Sequence, residues 1–324
     1  MVNNSLKEIT QELLKAKTML LYPHVNPDGD ALGSCIALER ALRQLGKEAY
    51  VLVEGKLPNN LQFLDDGYIT EDQNILENPD ISIAVDCSQD SRIKGRLDKF
   101  KEAKNSICID HHENDIPLCQ YNYIDSSEAA CSQIMYKLLL EMQNQSDLEF
   151  DKEMCNALYT GILTDTGCFK NSNSSFDSFN ISAELVKLGA NTYEVAQEVY
   201  EKEPIGKIEL EAKILETLKS VKDGKILIAY ASQKMLEETN TEMDMADSVV
   251  TTLRSIEGTE VSVLLKEYGP EEIKVSMRSK SYVDLVPFAK AHGGGGHTRA
   301  SGYTIEKSLK DAILEIEREI VELV

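Results

Sequence analysis

His24, Asp28 and Asp30 fall in one seven-residue stretch, His24-Val-Asn-Pro-Asp28-Gly-Asp30. An imidazole and two carboxylates this close can share a divalent cation, and either acid can cap a helix. Pro27 and Gly29 are turn residues, which let the chain bend so that alternate side chains converge. Three further stretches supply the same side-chain types. Asp86 ends the apolar run 81–85, Asp110-His111-His112 ends the run 106–109, and Asp165 ends a helical pattern. The chain has 5 histidines, and all fall in these motifs or in His292-Gly-Gly-Gly-Gly-His297-Thr-Arg299-Ala-Ser-Gly302. Scattered core histidines would not cluster so.

Asp28, Asp30, Asp86, Asp110 and Asp165, with two or three imidazoles, exceed what one ion needs. Five unpaired carboxylates brought together repel strongly. Two divalent cations about 3.5–4 Å apart relieve that repulsion and suit the ligand set. Oxygen and imidazole donors without thiolate favour manganese or magnesium, with zinc, iron or cobalt as replacements.

Elements must bring these residues together. Residues 19–23 read as a short buried strand, and the helical pattern of Ala31 to Gly46 follows at once. A helix over 6–16 precedes them. Strands are expected at 49–53, 81–86 and 106–110, and a short helix at 58–64. Strands alternating with helices imply a mostly parallel sheet with helices on both faces. Three strands then deliver His24, Asp86 and Asp110 at their carboxyl ends, where open α/β sheets bind ligands. Helices follow at 129–142 and 153–164. Met154, Leu158, Gly161, Ile162 and Asp165 share one face of the second, so Asp165 should point inward. A polar loop covers 170–175 and helices continue to about Tyr200. Glu201-Lys-Glu-Pro204 reads as a boundary. The expected organisation is a domain over 1–200, a helical linker over 201–222, and a smaller α/β domain over 223–324 with strands at 225–230, 260–266 and 273–277.

The 324 residues suit two domains. With 34 Lys and Arg against 55 Asp and Glu, the net charge is −21. So acidic a chain is not built to grip long nucleic acid through a general phosphate-neutralising surface. Attraction for an anionic substrate must be local, and metal ions are the obvious source. Residues 245–305 are locally balanced, with 7 basic and 7 acidic side chains. The 7 cysteines form no C-x-x-C pair, which argues against zinc ribbons and disulfide frameworks and fits a reducing, cytoplasmic setting. No apolar run approaches the ~18 residues of a membrane span.

His24-x-Asn-Pro-Asp28-Gly-Asp30, Asp86, Asp110-His111-His112 and Asp165 resemble the four motifs of the DHH phosphoesterase superfamily. Ser276-Met-Arg278-Ser279 and Gly293 to Gly302 resemble its companion substrate-binding domain, the DHHA1 type. The subgroup most similar is that of stand-alone oligoribonucleases and adenosine 3′,5′-bisphosphate (pAp) phosphatases. The resemblance implies a DHH domain with a mostly parallel sheet, a smaller α/β DHHA1 domain with a mixed sheet, and an active site in the cleft between them. It implies two cations, manganese favoured. One would be held by His24, Asp28 and Asp86, the other by Asp30, Asp86, His111 and Asp165, with Asp86 bridging. Asp86, Asp110, His111 and His112 would be the catalytic set. Asp110 would orient His111, and His112 would face the scissile phosphate. Arg278, Ser279, Gly294, Gly295, Gly296, His297 and Arg299 would bind substrate: glycine N–H groups can approach a phosphate closely, and Arg278 can pair it bidentately. His292 is expected to be structural or solvated.

The expected reaction is metal-dependent release of mononucleotides from very short RNA and removal of the 3′-phosphate of pAp. Rival expectations are hydrolysis of dinucleotide messengers (pApA, pGpG or cyclic di-AMP) and a manganese inorganic pyrophosphatase. A non-catalytic nucleotide-binding module would predict damaged ligand positions, and none is damaged. No membrane partner is expected, and a homodimer is compatible with the reading.

Overall fold

Apolar runs of five or six residues, too short for buried helices, become the strands of a central sheet. The computed structural model describes residues 3–112 and 118–324. The chain forms two units, one ending at Lys202 and one beginning at Glu203. In chain order, the first holds α1 (Leu6–Lys15), β1 (Thr18–Tyr22), α2 (Gly29–Gln44), β2 (Glu48–Leu52), β3 (Ile69–Thr70), β4 (Ile81–Val85), α3 (Asp90–Ile93), α4 (Leu97–Lys101), β5 (Asn105–Asp110), β6 (Tyr121–Ile124), α5 (Cys131–Gln143), α6 (Lys152–Asp165), α7 (Phe176–Lys187) and α8 (Thr192–Tyr200). Within the stretch 58–64, expected as a short helix, Asn59–Leu64 is a 3₁₀ helix.

The six strands lie in the order β3-β2-β1-β4-β5-β6, and every pairing is parallel. The chain winds outward through β2 and β3, returns, and winds the other way through β5 and β6. The reversal falls between β1 and β4, so the loops leaving these neighbours diverge and open a crevice. His24 follows β1 and Asp86 follows β4, which puts both at that crevice. The edge strands β3 and β6 were not expected from sequence. β3 is two residues long, and β6 carries no clean alternation.

On one side of the sheet α2 lies against α6. A Cβ on Gly33 would overlap the Ala157 carbonyl oxygen, and one on Gly161 would overlap Ser132 Oγ and crowd Asp30. These glycines let α2, α5 and α6 approach closely, and that approach holds Asp30 and Asp165 in one neighbourhood.

The second unit holds α9 (Ile205–Leu215), β7 (Lys219–Val221), β8 (Ile226–Ala231), α10 (Gln233–Thr239), α11 (Asp247–Ser255), β9 (Val261–Gly269), β10 (Glu272–Ser279), α12 (Val286–Ala291), β11 (Gly295–His297), β12 (Ala300–Ile305) and α13 (Leu309–Glu319). Its sheet runs β11-β12-β10-β9-β8-β7, with β8 and β9 parallel and the other pairs antiparallel. The sheet is therefore mixed, as expected. The stretch 201–222, expected as a helical linker, contains α9 and the edge strand β7. Leu210 and Ile214 of α9 join a buried cluster with Leu227 and Leu264, so the helix is bound by its apolar face to the second sheet. All 7 cysteines are free thiols. Among the described residues no helix is long and apolar enough to cross a membrane.

Candidate dimetal centre

The β1–α2 turn supplies three of the expected ligands. Asn26 takes a left-handed backbone (φ 53), and Asp28 then caps α2. Asp28 Oδ1 accepts from the Asp30 and Ala31 amides at 3.1 and 3.0 Å, while Oδ2 lies 3.6 Å from His24 Nε2. Cap and ligand position are thus filled by opposite oxygens of one carboxylate. Asp30, wholly buried, points the other way. Its oxygens accept from the amides of Cys131 (2.6 Å) and Ser132 (2.8 Å), at the N-terminus of α5, where the helix dipole favours a negative charge.

Asp86 stands between the remaining groups. It ends β4 in the left-handed region (φ 55), a conformation Asp tolerates better than most residues. Its Oδ2 lies 3.5 Å from His24 Nε2. Its Oδ1 lies 3.4 Å from both His111 Nε2 and His112 Nδ1. On the far side, His111 Nε2 is 3.3 Å from Asp165 Oδ2 and 3.8 Å from Asp30 Oδ2. Within each of two sets, His24–Asp28–Asp86 and Asp30–His111–Asp165, one donor atom per residue lies within 4.8 Å of the others. Asp86 belongs to the first set and touches the second through its other oxygen.

The donors are prepared for cations. His24 Nδ1 sits 2.8 Å from the Val25 carbonyl and His111 Nδ1 3.3 Å from the Glu128 carbonyl. A carbonyl can only accept, so each Nδ1 carries a proton and, in the neutral ring, each Nε2 presents a lone pair. His24 Nε2, His111 Nε2 and Asp86 Oδ1 are buried without a hydrogen-bond partner. Three converging orphans of this kind are costly unless something fills the space between them.

The electrostatics carry the same message. Burial, followed by the charges of Asp165 and Asp86, holds the Asp30 carboxyl well above the ordinary range. Burial, with Asp28 and Asp86 next, pushes Asp165 up to about 8. Burial opposes the His24 imidazolium, yet Asp28 and Asp86 outweigh it and push His24 up to about 9. The cluster is short of positive charge and draws protons in its place. Divalent cations fit these residues.

Asp110 differs in detail from expectation. One of its oxygens, Oδ1, accepts from the backbone amides of His111 (2.7 Å) and His112 (3.1 Å) and from His112 Nδ1 (2.8 Å). It therefore holds His111 by its backbone, while the Glu128 carbonyl sets that ring. The ring Asp110 orients is that of His112. Its hydrogen bond, with that of Asp86 next, pushes His112 up to about 10. The His112 side chain is 41% exposed, which leaves Nε2 able to meet a substrate. Asp165 is mostly buried, its side chain 23% exposed, as its helical position predicts.

Sequence reasoning missed Arg96. It is almost wholly buried, donating to the Leu52 carbonyl (2.5 Å) and to the Pro23 carbonyl (2.9 Å), just before His24. It ties the carboxyl ends of β1 and β2 together. Nothing in its spacing marks it, because its partners are backbone carbonyls distant in sequence. Asn173, in the loop after α6, donates to the Asp165 carbonyl (3.2 Å), and it too went unmarked.

The expected substrate-binding residues lie in the second unit. Cross-strand pairing aligns Arg278 with Ala300 and Ala300 with His297, so Arg278 and His297 share one sheet face. Arg278 is half-buried and His297 exposed. Ser279 faces the other way, buried, its hydroxyl donating to the Val283 carbonyl (2.7 Å). Arg299 donates to the same carbonyl at 2.8 Å. Gly294 and Gly296 are required by the hairpin itself: a Cβ there would strike Gly302 and Ala300 carbonyl oxygens. One on Gly295 would meet nothing within 4 Å. Gly293 also meets nothing, but its left-handed backbone (φ 77) accounts for it, so Gly295 is the glycine of the run that neither packing nor backbone explains. His292 is structural: it bonds the Phe288 carbonyl and Glu319, both at 2.8 Å, and stacks on Tyr303.

Known proteins resemble this chain in sequence and in fold. The family model for the DHH family, N-terminal domain, matches residues 18–162, and that for the DHHA1 domain matches residues 223–323. A bifunctional oligoribonuclease and PAP phosphatase NrnA from Thermus thermophilus is 33% identical, the match covering 92% of this chain and 88% of the relative. The crystal structure of an exopolyphosphatase-related protein from Bacteroides fragilis superposes with a TM-score of 0.89 at 24% identity, covering 97% of this chain and 94% of that one. That of exonuclease RecJ bound to manganese gives 0.57 at 14% identity, covering 98% and 93%. With both lobes matched in order and a relative this similar along most of its length, the chain belongs to the DHH family, its second unit being a DHHA1 domain.

Proposed function

We propose that this chain is a divalent-cation-dependent phosphoesterase that degrades very short RNA to mononucleotides and removes the 3′-phosphate of pAp. The observation that carries the reading is Asp86, whose two oxygens face two separate His–Asp sets with unpartnered donor atoms. The Thermus thermophilus relative, named for the same pair of activities, supports the choice of substrates.

His24, Asp28 and Asp86 would hold one cation, and Asp30, Asp86, His111 and Asp165 the other; manganese is favoured. Bound there, such cations polarise a phosphoryl oxygen and make an attacking water a good nucleophile near neutral pH. The chain's own residues do the rest. Val25 and Glu128 carbonyls fix the tautomers of His24 and His111. The α5 amides offset the Asp30 charge and fix its direction. His112, kept as imidazolium by Asp110, donates a proton or hydrogen bond to a phosphate oxygen or the departing group. Arg278 and His297 share a face suited to a phosphate, and Gly295, without a side chain, lies in the same hairpin as His297.

The test is a side-by-side rate comparison, with manganese, on pAp, pApA, cyclic di-AMP, pyrophosphate and RNA of two to five nucleotides. Turnover of pAp and short RNA at least tenfold above pyrophosphate and cyclic di-AMP is expected. Fastest turnover of pyrophosphate, or of cyclic di-AMP alone, would replace this reading with one of its rivals.

A further inference from the structure

One short segment, residues 92–96, holds the chain on both sides of His24. Before it, the Arg96 guanidinium donates through Nη2 to the Pro23 carbonyl at 2.9 Å. After it, the Val25 amide donates to the Arg92 carbonyl at 2.9 Å. The Pro23 carbonyl belongs to the peptide plane entering His24, and the Val25 amide to the plane leaving it. With both planes held, the two soft dihedrals of His24 are set. Its Nδ1 lies 2.8 Å from the Val25 carbonyl, so the direction of Nε2 follows from that backbone. Arg96 is anchored in turn. Its Nη1 donates to the Leu52 carbonyl at 2.5 Å, at the end of β2, and its side chain is 1% exposed. Among the described residues no carboxylate accepts a hydrogen bond from it. Glu54 Oε2 stands 4.0 Å from Nε, and Nε is buried without a hydrogen-bond partner. A buried cation served mainly by carbonyls is costly, and burial holds this guanidinium below its ordinary range. Lys94, between the two gripping residues, has φ 44 and ψ −117, a conformation that suits glycine and strains a lysine. Strain of this kind persists only where surrounding contacts impose it, and here it falls in the segment that grips the His24 turn.

From these observations we infer that Arg96 is a positioning residue: with the Arg92 carbonyl it holds His24 in ligand geometry before a cation arrives, and so sets the affinity of the cation at the His24–Asp28–Asp86 set. The inference rests on the dimetal reading and adds which part of the chain tunes one cation separately from the other. The two sets are supported from different places. His111 takes its direction from Asp110 and from the Glu128 carbonyl instead. Arginine suits the task because its planar fork reaches two carbonyls at once, Pro23 just after β1 and Leu52 in β2. Lysine keeps the charge but has no rigid fork. The gripping segment also follows β4 and Asp86, so one stretch of chain carries Asp86 and holds His24. A ligand ordered in advance costs less to fix on binding, and removing support of this kind weakens metal affinity about 10- to 100-fold.

The test uses the full chain and reads manganese binding by calorimetric titration, without substrate. Wild type should bind two cations. Arg96→Lys should weaken one of them about 10- to 100-fold and leave the other within about twofold. His24→Ala should weaken the same cation, and adding Arg96→Lys to it should cost nothing more, because Arg96 acts through His24. A melting curve checks that each variant folds. Equal weakening of both cations, or losses that add in the double variant, would make Arg96 a merely structural residue and overturn the inference. Hydrogen exchange of metal-free wild type supplies a reading that depends on no substitution. The Val25 amide should exchange at least about 10²-fold more slowly than an unprotected amide, and free exchange there would overturn the hold on His24. A wild type that binds fewer than two cations would instead remove the dimetal reading and this inference with it.

Discussion

Asp86 is the side chain on which the account depends, and its backbone allows a clean substitution. Asn tolerates a left-handed φ as well as Asp does, so Asp86→Asn keeps the turn and removes the charge. The variant should melt near the wild-type temperature yet lose at least about 10²-fold in turnover and bind manganese weakly at both positions, read by activity and calorimetric titration. His112→Gln should behave differently. Its Asp110 bond orients a proton donor, so kcat should fall about 10²- to 10⁴-fold while metal content stays as in wild type. Residue types and spacing in the sequence nominated Asp28, Asp30, Asp86, Asp110 and Asp165 with two or three imidazoles, and the family resemblance narrowed the ligand set to His24, Asp28, Asp30, Asp86, His111 and Asp165. They could not tell that Asp28 is cap and candidate ligand at once, or that Ser279 is turned into the core. Those facts depend on which backbone carbonyls and amides come across from elsewhere in the chain, and spacing carries no record of them.

The elements act through close approach. Asp30 and Asp165 meet because α2, α5 and α6 pack with glycine at the contacts. Gly33→Ala would drive a methyl group into the Ala157 carbonyl. It should cost about 1–3 kcal/mol of stability, measured by denaturant unfolding, and weaken manganese binding in parallel as the two carboxylates separate. Loss of stability with unchanged manganese affinity would show that helix spacing does not set the ligand geometry. The parallel sheet was legible because each buried strand is an apolar run bounded by turn residues. The helix over 153–164 was legible from its stripe. β3, β6 and β7 were not, since two to four residues at a sheet edge carry no period. What α9 packs against was illegible for a related reason: a helical stripe shows that a face will be buried, but not against what. The close approach marked by Gly33 and Gly161 was also invisible, because a glycine within a helical pattern does not reveal its neighbour.

At the scale of the whole molecule, a chain of net charge −21 gathers four carboxylates around two imidazoles, and the cost should appear in stability. Without cations, folded Asp165 keeps its proton to about pH 8, whereas the unfolded chain releases it near pH 4. The folded state then binds more protons, and stability falls as pH rises between those values. His24, raised to about 9, has the same sign: its contribution is full below about 6.5 and lost as pH rises through 9. Manganese should therefore raise the melting temperature more at pH 8 than at pH 6; a larger rise at pH 6 would contradict the charge deficit. The most direct measurement of the central claim is anomalous diffraction from a crystal soaked in manganese. Two peaks about 3.5–4 Å apart, with Asp86 bonded to both and Asp30 and Asp165 to one, are predicted. A single peak, or Asp30, Asp86 and Asp165 all beyond bonding distance of any peak, would contradict it.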